Sequence, residues 1–407
     1  MHLITSLLIL LACSRIIGRI FQALGFFSIT GEILAGFLLG PAIFNFIDPN
    51  VHGLNGIVEL GIFLLIFAAG LEVDLKEFII SLKNKALICG LIIFSVSFGS
   101  GLIFGFLFQL TFFSSIVIGL CFSITAIPVA IKFLRSVDLI KSPLGHTVMG
   151  TAIVIEILAL LILGISSGAD NNYSLIAYFK LIFIKGLSML GFFFFVMLVN
   201  KILRSELKYL STQTMFNQII KTFGEEAVFG IGVLFVLLFS TISEALGFHF
   251  IIGAFFGGLL LNKDVIGTNV FDSLSLTLQS ITSHFLTPIF FAYLGLLINL
   301  DSFEDITLVL SLLAVGYVVK ILSSTIATKI SGFSNQESFK MGLILNSRGT
   351  FDLIVADLAL SKGYIDTKIF SILVLFGVFS VMFNPILYRQ IYRKEARKDL
   401  SKVIDRI

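Results

Sequence analysis

The chain has 407 residues, of which 57% are hydrophobic and 13% charged, and its mean hydropathy is +1.05. This composition excludes a soluble globular protein, and repeated apolar runs of about twenty residues predict a polytopic membrane protein. The three cysteines lie in apolar segments and fit neither a disulfide nor a metal pattern, so no cofactor is expected, and no nucleic-acid partner is expected either.

Thirteen apolar segments are predicted to cross the bilayer as helices, which gives an all-α fold. In chain order they are 3–22, 29–47, 55–72, 84–108, 113–134, 146–167, 173–200, 226–246, 249–262, 277–298, 307–331, 338–360 and 369–389. The seventh is the least regular, because Lys180 and Lys185 lie inside it. Such side chains either extend to the membrane surface or mark an interfacial helix.

The orientation follows from the basic residues of the loops. Loops after odd-numbered segments, and the tail after the last one, are rich in lysine and arginine, with Arg135, Lys208 and Arg393 as examples. The opposite loops carry acids such as Asp170 and Asp301. Because basic loops stay in the cytoplasm, we expect a cell-membrane protein with the N-terminus outside and the C-terminus inside.

The chain also repeats itself. Residues 23–40 align without gaps with 245–262, with nine of eighteen positions identical, among them the glycine pairs Gly31/Gly253 and Gly36/Gly258. The next segments align through Gly70 and Gly295. Seven predicted spans separate equivalent points, so the second repeat is inverted in the membrane. Inverted repeats are typical of transporters, whose site lies where the repeats meet.

This repeat predicts the domain organisation. A single transmembrane domain covers 1–391, with repeat one at 1–167, a linking helix and cytoplasmic loop at 168–225, and repeat two at 226–391. Each repeat contributes six helices. A short basic cytoplasmic tail, 392–407, follows.

Two spans contain helix-breaking residues at matching places. Ser123, Thr125 and Pro128 lie in the middle of the fifth span, and the repeat offset carries Thr125 onto Arg348, next to Gly349 in the twelfth. Proline removes a backbone donor and clashes with the carbonyl one turn earlier. Two interrupted spans at equivalent positions indicate a transport site at the midplane. We therefore predict that Thr125 and Arg348 face each other on two broken helices.

Four polar residues fall near the centres of their spans: Thr125, Glu156, Lys320 and Arg348. Intramembrane charges are costly and usually functional. Three structural interpretations stay open. Glu156 is a carboxylate paired with Lys320 or Arg348, Lys320 is a counter-charge, and Arg348 is a fixed charge rather than a proton carrier. Asp352, four residues after Arg348, is predicted to be its helical i,i+4 partner.

Several motifs together resemble a known family, the second family of monovalent cation:proton antiporters. They lie at 31–41, 67–75, 125–129, 253–259, 288–291 with Gly295, and 347–349. The resemblance covers essentially the whole chain. It implies thirteen helices in inverted repeats, spans five and twelve as crossed discontinuous helices, and a homodimer. It also implies a mobile core domain that moves against a dimerisation domain.

The chain departs from this family at its working pair of acids, which falls on Ile155 and Glu156. Lys320 matches the lysine that, in electrogenic members, pairs with the first acid. Here that acid is isoleucine. Two cases stay open: if Lys320 stays protonated throughout, only Glu156 exchanges its proton, and if Lys320 also loses its proton, the exchange generates current. We predict the first case, electroneutral one-for-one exchange.

The leading functional hypothesis is alternating-access exchange of Na⁺ or K⁺ for H⁺. Glu156 would bind either a proton or the alkali cation, with the Thr125 hydroxyl and carbonyls freed near Pro128 as further oxygen ligands. One alternative is a proton- or sodium-coupled carrier of a small anion held by Arg348 and Lys320. Another is a transport-inactive membrane sensor, favoured only by Ile155.

An enzyme is the least favoured class. The sequence shows no nucleophile–base pair, phosphate loop or metal-ligand spacing. The short segment after the last span predicts no nucleotide-binding regulatory domain of the kind found in glutathione-gated potassium efflux relatives.

Overall fold

The computed structural model describes residues 2–73, 85–136, 139–166, 175–205, 222 and 226–404. The helices are α1 (Leu3–Ala23), α2 (Ser28–Leu39), α3 (Leu54–Glu72), α4 (Lys85–Leu107), α5 (Phe112–Ser123), α6 (Ile127–Ser136), α7 (Pro143–Ser166), α8 (Leu175–Ser205), α9 (Glu226–Ala245), α10 (Phe250–Leu260), α11 (Lys263–Ile266), α12 (Thr268–Ile281), α13 (Thr287–Leu296), α14 (Ile306–Ile330), α15 (Asn335–Leu345), α16 (Thr350–Ser361) and α17 (Thr367–Ile404). A π-helical turn, Thr282–Leu286, joins α12 to α13, and a 3₁₀ turn, Leu300–Phe303, precedes α14.

The all-α prediction is confirmed. The described part of the chain contains helices and no strand, and nine of its helical segments are long and apolar enough to cross a membrane. Three boundaries differ clearly from prediction. The last span was expected to end at residue 389, but α17 continues to Ile404, so the predicted tail begins as helix. The second span was expected to reach residue 47, but α2 ends at Leu39, because Gly40 is extended ahead of Pro41. The tenth begins earlier than predicted, since α12 starts at Thr268.

Some predictions fall on residues outside the described ranges. Lys208 and nearly all of residues 206–225 lie there, as do Asp74, Leu75 and Asp170. Within α8, Lys185 Nζ donates a hydrogen bond to the Gly247 carbonyl and lies 5.2 Å from the centre of the Phe248 ring. This lysine therefore meets a helix-end carbonyl and an aromatic face.

The helices form two compact units, each drawn from separate parts of the chain. Unit 1 comprises Met1–His52, Ser81–Ile155 and Phe291–Ile407, and unit 2 comprises Gly53–Ile80 and Glu156–Phe290. Each unit contains helices from both predicted repeats. The units and the repeats are therefore different divisions of the chain.

The repeat is visible in how glycines pack inside each unit. In unit 1, a Cβ on Gly36 of α2 would lie 1.7 Å from the Ala292 carbonyl oxygen of α13. In unit 2, a Cβ on Gly258 of α10 would lie 2.6 Å from the Phe67 carbonyl oxygen of α3. Gly36 aligns with Gly258, and the offset that pairs Gly70 with Gly295 pairs Phe67 with Ala292. The same backbone-to-backbone contact thus occurs once in each unit, always between one helix of each repeat.

Candidate ion-binding site

Both predicted helix breaks are present in unit 1. α5 ends at Ser123 and α6 begins at Ile127, while α15 ends at Leu345 and α16 begins at Thr350. Pro128 is the second residue of α6, where its missing N–H costs no helical hydrogen bond. Its ring would clash with the carbonyl four residues earlier, so the helix unwinds just before it. The sequence signal at Pro128 therefore located the break correctly.

The two breaks are hydrogen-bonded to each other. Thr125 Oγ1 donates to the Leu345 carbonyl at 2.8 Å, and the Ala126 amide donates to the Ser347 carbonyl at 2.9 Å. A Cβ on Gly349 would lie 2.6 Å from the Ala126 side chain, so the crossing requires glycine there. The prediction that the segments of Thr125 and Arg348 face each other is confirmed.

Arg348 donates hydrogen bonds to backbone carbonyls at the C-terminal end of α5. The residue is fully buried, and its Nη1 and Nη2 donate to the carbonyls of Cys121 and Phe122, the second at 3.2 Å. The guanidinium carbon lies 4.0 Å from the centre of the Phe376 ring, within cation–π range. The last carbonyls of a helix lack intrahelical partners and carry partial negative charge, so a cation stabilises them.

Lys320 binds at the same helix end. It is fully buried on α14, and its Nζ donates to the Ser123 carbonyl. These two buried basic side chains therefore donate hydrogen bonds to three successive backbone carbonyls, those of Cys121, Phe122 and Ser123. This arrangement favours the interpretation of both residues as fixed charges that hold the broken helix.

Asp352 corrects one prediction. Arg348 precedes α16, so the two residues do not lie one helical turn apart and the predicted helical i,i+4 geometry is absent, although the two charges still interact. Its Oδ1 instead accepts a hydrogen bond from the Gly349 amide at 2.9 Å. Asp352 lies in the first turn of α16 and is 4% exposed. An acid there satisfies free amides and complements the positive end of the helix dipole.

These bonds narrow the set of cation ligands. The carbonyls of Cys121, Phe122 and Ser123, which become free where α5 ends ahead of Pro128, already accept hydrogen bonds from the basic side chains of Arg348 and Lys320, and these neighbours disfavour a metal cation at the remaining lone pairs. The Thr125 hydroxyl gives its hydrogen to Leu345, so it retains only lone pairs with which to bind a cation.

Glu156 belongs to unit 2 and lies in the middle of α7. It is 3% exposed, and its Oε2 is buried without a hydrogen-bond partner among the described residues. A buried carboxylate oxygen without a partner is costly and needs a proton, a cation or water. The preceding Ile155 is fully buried and supplies no polar atom.

One acidic residue was missed by the sequence analysis. Glu72, the last residue of α3, lies in the same unit and interacts electrostatically with Glu156. In the sequence it stands within a repeated motif and at the end of a span, where an acid is usually a solvated surface residue. Only the packing of several helices brings it to Glu156.

The sequence profile of the family described as "Sodium/hydrogen exchanger, transmembrane" matches residues 7–394. The chain belongs to this family. A Na⁺/H⁺ antiporter of Enterococcus hirae is 26% identical over 398 residues, covering 97% of this chain and 99% of the relative. The Na⁺/H⁺-K⁺ antiporter GerN of Bacillus cereus is 24% identical and covers 93% of both chains. A K⁺/H⁺ antiporter of Saccharomyces cerevisiae is 27% identical, and the match spans 48% of its length.

Among solved structures, the sodium proton antiporter MjNhaP1 of Methanocaldococcus jannaschii has the same fold. It superposes with a TM-score of 0.65 over 96% of both chains at 17% sequence identity. The fold is therefore that of a sodium/proton antiporter, with two crossed discontinuous helices in inverted repeats.

Proposed function

We propose that this protein is a secondary active antiporter that exchanges Na⁺ or K⁺ for H⁺ across the cell membrane. The observation that carries the proposal is the buried Glu156 carboxylate, whose Oε2 lacks a partner in the described structure. The family membership and the relatives that act as cation/proton antiporters support it. Transport, rather than catalysis, is the activity proposed for the chain.

The mechanism uses Glu156 as a carboxylate that binds one ligand at a time. A proton or an alkali cation neutralises it, and each excludes the other. An empty, ionised Glu156 would carry an unpaired charge through the membrane interior, which is unfavourable. Reorientation is therefore favourable only when Glu156 is loaded, and alternation between the two ligands produces exchange.

The residues where the two broken helices cross supply fixed charges and maintain the helix breaks. Thr125 is proposed as a cation ligand through its remaining lone pairs. Arg348, Lys320 and Asp352 compensate helix ends, and Ser123, Pro128 and Gly349 keep the helices broken. The Nη donors of Arg348 and the amine of Lys320 already bind carbonyls. This commitment argues against the alternative in which they hold a transported anion.

Further features are proposed from the loop charges and the family resemblance. The protein forms a homodimer in the lipid bilayer, with its N-terminus outside and its basic tail in the cytoplasm. The domain organisation into repeats at 1–167 and 226–391 belongs to the same proposal. A cysteine introduced at Lys208 should react with an impermeant reagent only from the cytoplasmic side, and labelling from outside would contradict this topology.

The decisive experiment compares wild type with Glu156→Gln in liposomes, using a pH-sensitive dye inside the vesicles. Adding Na⁺ or K⁺ should drive proton movement in wild type, and Glu156→Gln should abolish it, because glutamine keeps the size but binds no proton. Glu59→Gln, which changes an exposed acid on α3, is the matched control and should transport normally. Exchange retained by a folded Glu156→Gln protein would show that the proton travels elsewhere, with Asp352 the next candidate.

A further inference from the structure

The two broken helices, α5 and α15, are hydrogen-bonded at their C-terminal ends by equivalent residues of the two repeats. Arg348 Nη2 donates to the Phe122 carbonyl at 3.2 Å, and Thr125 Oγ1 donates to the Leu345 carbonyl at 2.8 Å. Thr125 and Arg348 are equivalent in the repeat, and each acceptor lies three residues before one of them, Phe122 before Thr125 and Leu345 before Arg348. The two hydrogen bonds are therefore related by the internal repeat.

The next carbonyl at each helix end is bound in the same way. Ser123 and Asn346 are the following residues of the two repeats, and the carbonyl of each accepts one side-chain hydrogen bond. Lys320 Nζ donates to the Ser123 carbonyl, and Asn384 Nδ2 donates to the Asn346 carbonyl at 2.6 Å. All of these residues belong to unit 1. Two equivalent carbonyls at each end are thus bound by side chains from other segments.

The donors at the two ends differ in charge. At the end of α5 they are the basic side chains of Arg348 and Lys320, whereas at the end of α15 they are the neutral hydroxyl of Thr125 and the neutral amide of Asn384. The last carbonyls of a helix carry partial negative charge, which a cation stabilises. The donors at α5 compensate this charge, and the equivalent donors at α15 do not.

A buried hydroxyl lies at this same end of α15. The Ser347 amide donates to the Ile344 carbonyl at 3.0 Å, and the Ser347 carbonyl accepts from the Ala126 amide at 2.9 Å, so the backbone of Ser347 is fixed between the two breaks. Its side chain is 1% exposed, and its Oγ has no hydrogen-bond partner in the described structure. A buried hydroxyl without a partner is costly, so this oxygen needs a ligand.

A monovalent cation fits the end of α15 better than an anion does. Neutral oxygen atoms are ligands of hard cations, and the partial negative charge of a helix C-terminus attracts a positive ligand. Thr125 Oγ1 gives its hydrogen to the Leu345 carbonyl and presents only lone pairs. The C-terminal ends of discontinuous helices coordinate Na⁺ in other inverted-repeat transporters. Each broken helix therefore contributes one hydroxyl oxygen, from Thr125 and from Ser347.

We propose that Ser347 is a ligand of the transported cation, which binds at the C-terminal end of α15 through the hydroxyl oxygens of Ser347 and Thr125. This inference rests on the proposed antiport function and adds a ligand from the second broken helix. One helix end thus holds fixed positive charges, and its equivalent is left for a mobile cation. Loss of the Ser347 hydroxyl weakens cation binding but leaves Glu156 able to exchange its proton.

The test measures the cation concentration that gives half-maximal proton movement in proteoliposomes. Ser347→Ala should raise this concentration about tenfold or more for Na⁺ or K⁺, the loss expected when a contact to a charged group is removed, and should leave the maximal rate within about twofold of wild type. Ser338→Ala is the matched control. Ser338 is another fully buried serine whose Oγ has no partner in the described structure, but it lies in the first turn of α15, away from the break. It should change neither quantity.

A second variant distinguishes ligation from packing. Ser347→Cys keeps the approximate shape but replaces a hard oxygen atom by a soft sulfur atom, which favours soft cations over alkali cations. Thallium(I) is a soft monovalent cation similar in size to K⁺. The ratio of the half-maximal concentration for Tl⁺ to that for Na⁺ or K⁺ should therefore fall about tenfold in Ser347→Cys relative to wild type. Thermal unfolding in detergent with each added cation gives a readout that does not depend on transport.

The outcomes distinguish this inference from the proposed function. Exchange that depends on Glu156 but has a wild-type cation affinity in Ser347→Ala would assign the Ser347 hydroxyl to water and overturn its role, with antiport intact. Parallel changes for Tl⁺ and the alkali cation in Ser347→Cys would indicate packing and also overturn it. A wild-type protein that neither exchanges nor binds Na⁺ or K⁺ would overturn both.

Discussion

At the scale of the residue, Arg348 shows how a permanent charge is kept in the interior of a membrane protein. Its planar guanidinium reaches two adjacent carbonyls and stacks on Phe376. A lysine ammonium is a point charge that cannot reproduce this fork geometry. The position therefore requires arginine and not merely a positive charge.

We predict that Arg348→Lys lowers the stability of the folded protein by about 1.5–3 kcal/mol, the range for a lost hydrogen bond to a charged group. Transport should fall with it, because the crossing of the broken helices loosens. Thermal unfolding in detergent and proton movement in liposomes measure the two effects. Arg19→Lys, at an exposed position on α1, is the control and should behave as wild type. Unchanged stability in Arg348→Lys would contradict the role of the bidentate contact.

Asp305 provides a pH-dependent contact outside the membrane-spanning segments. Its carboxylate accepts a hydrogen bond from the Leu308 amide at 3.1 Å and lies 3.3 Å from Lys368 Nζ. The Leu308 amide, followed by Lys368, lowers the pKa of Asp305 from its ordinary value of 3.8. The folded state therefore favours the ionised form, so this stabilisation is present above pH 3.8 and is lost as the pH falls through the lower folded-state pKa.

We accordingly predict that acidification below about pH 4 lowers the unfolding temperature less in Asp305→Asn than in wild type, because asparagine caps a helix without titrating. Lys368→Gln should keep most of the wild-type pH dependence, since the amide is the larger cause. Unfolding curves at pH 6, 4 and 3 give the comparison. Identical curves for wild type and Asp305→Asn would contradict it.

At the scale of the element, the close approach of α2 to α13 depends on glycine. We predict that Gly36→Ala lowers the free energy of unfolding by about 1–3 kcal/mol or more, because the new methyl would meet the Ala292 carbonyl and push the helices apart. Gly99→Ala is the control on α4, where nothing lies within 4 Å of the added atom. It should be neutral or stabilise by up to about 1 kcal/mol, since alanine favours helices. Equal unfolding temperatures for the two variants would contradict the contact.

A second element, α17, is hydrogen-bonded through Asn384 to the C-terminal end of α15. Asn384 Nδ2 donates to the Asn346 carbonyl at 2.6 Å, and Asn384 Oδ1 accepts from Tyr317 Oη at 2.7 Å and Asn346 Nδ2 at 3.3 Å. Asn346 is the residue at which α15 stops. Three helices are thus joined at the break by one buried amide.

We predict that Asn384→Leu destabilises the protein by about 1–3 kcal/mol, because it leaves buried polar groups unpaired, while Tyr317→Phe costs about 1 kcal/mol. The double variant should cost less than the sum, since the same amide carries both effects. A double-mutant cycle by thermal unfolding measures this coupling. Strict additivity would show that the two residues act independently.

The sequence predicted those elements whose signals are local. Pro128 and Gly349 interrupt their own helices, so the breaks were found from the residues themselves. The partners of Arg348 and the role of Asp352 were not found, because residue spacing assumed a continuous helix where the chain is unwound. Glu72 was missed because its interaction with Glu156 depends on tertiary packing, which residue spacing does not reveal.

At the scale of the whole molecule, the charge moved per cycle follows from which groups titrate. Lys320 Nζ donates a hydrogen bond to the Ser123 carbonyl, and we expect this amine to keep its proton throughout the transport cycle. Only Glu156 then exchanges its proton. One proton should leave for each cation bound.

We therefore predict electroneutral exchange. Sealed liposomes with an imposed membrane potential of about 100 mV, worth about 2.3 kcal/mol per elementary charge, provide the test. Proton movement in the presence of Na⁺ or K⁺ should not respond to this potential. If the potential alone drives protons across, the one-for-one exchange is wrong and Lys320 becomes the second carrier.

The glycine contact between α2 and α13 also sets the order in which the protein matures during synthesis. α2 is synthesised long before α13, yet the carbonyl that fills the groove at Gly36 belongs to Ala292 of α13. Until α13 has been inserted, the groove at Gly36 on α2 therefore lacks the partner that it has in the folded unit. Contacts between such distant parts of a chain form slowly and leave incomplete intermediates exposed. A chain interrupted before α13 would be recognisable to membrane quality control by that unfilled groove.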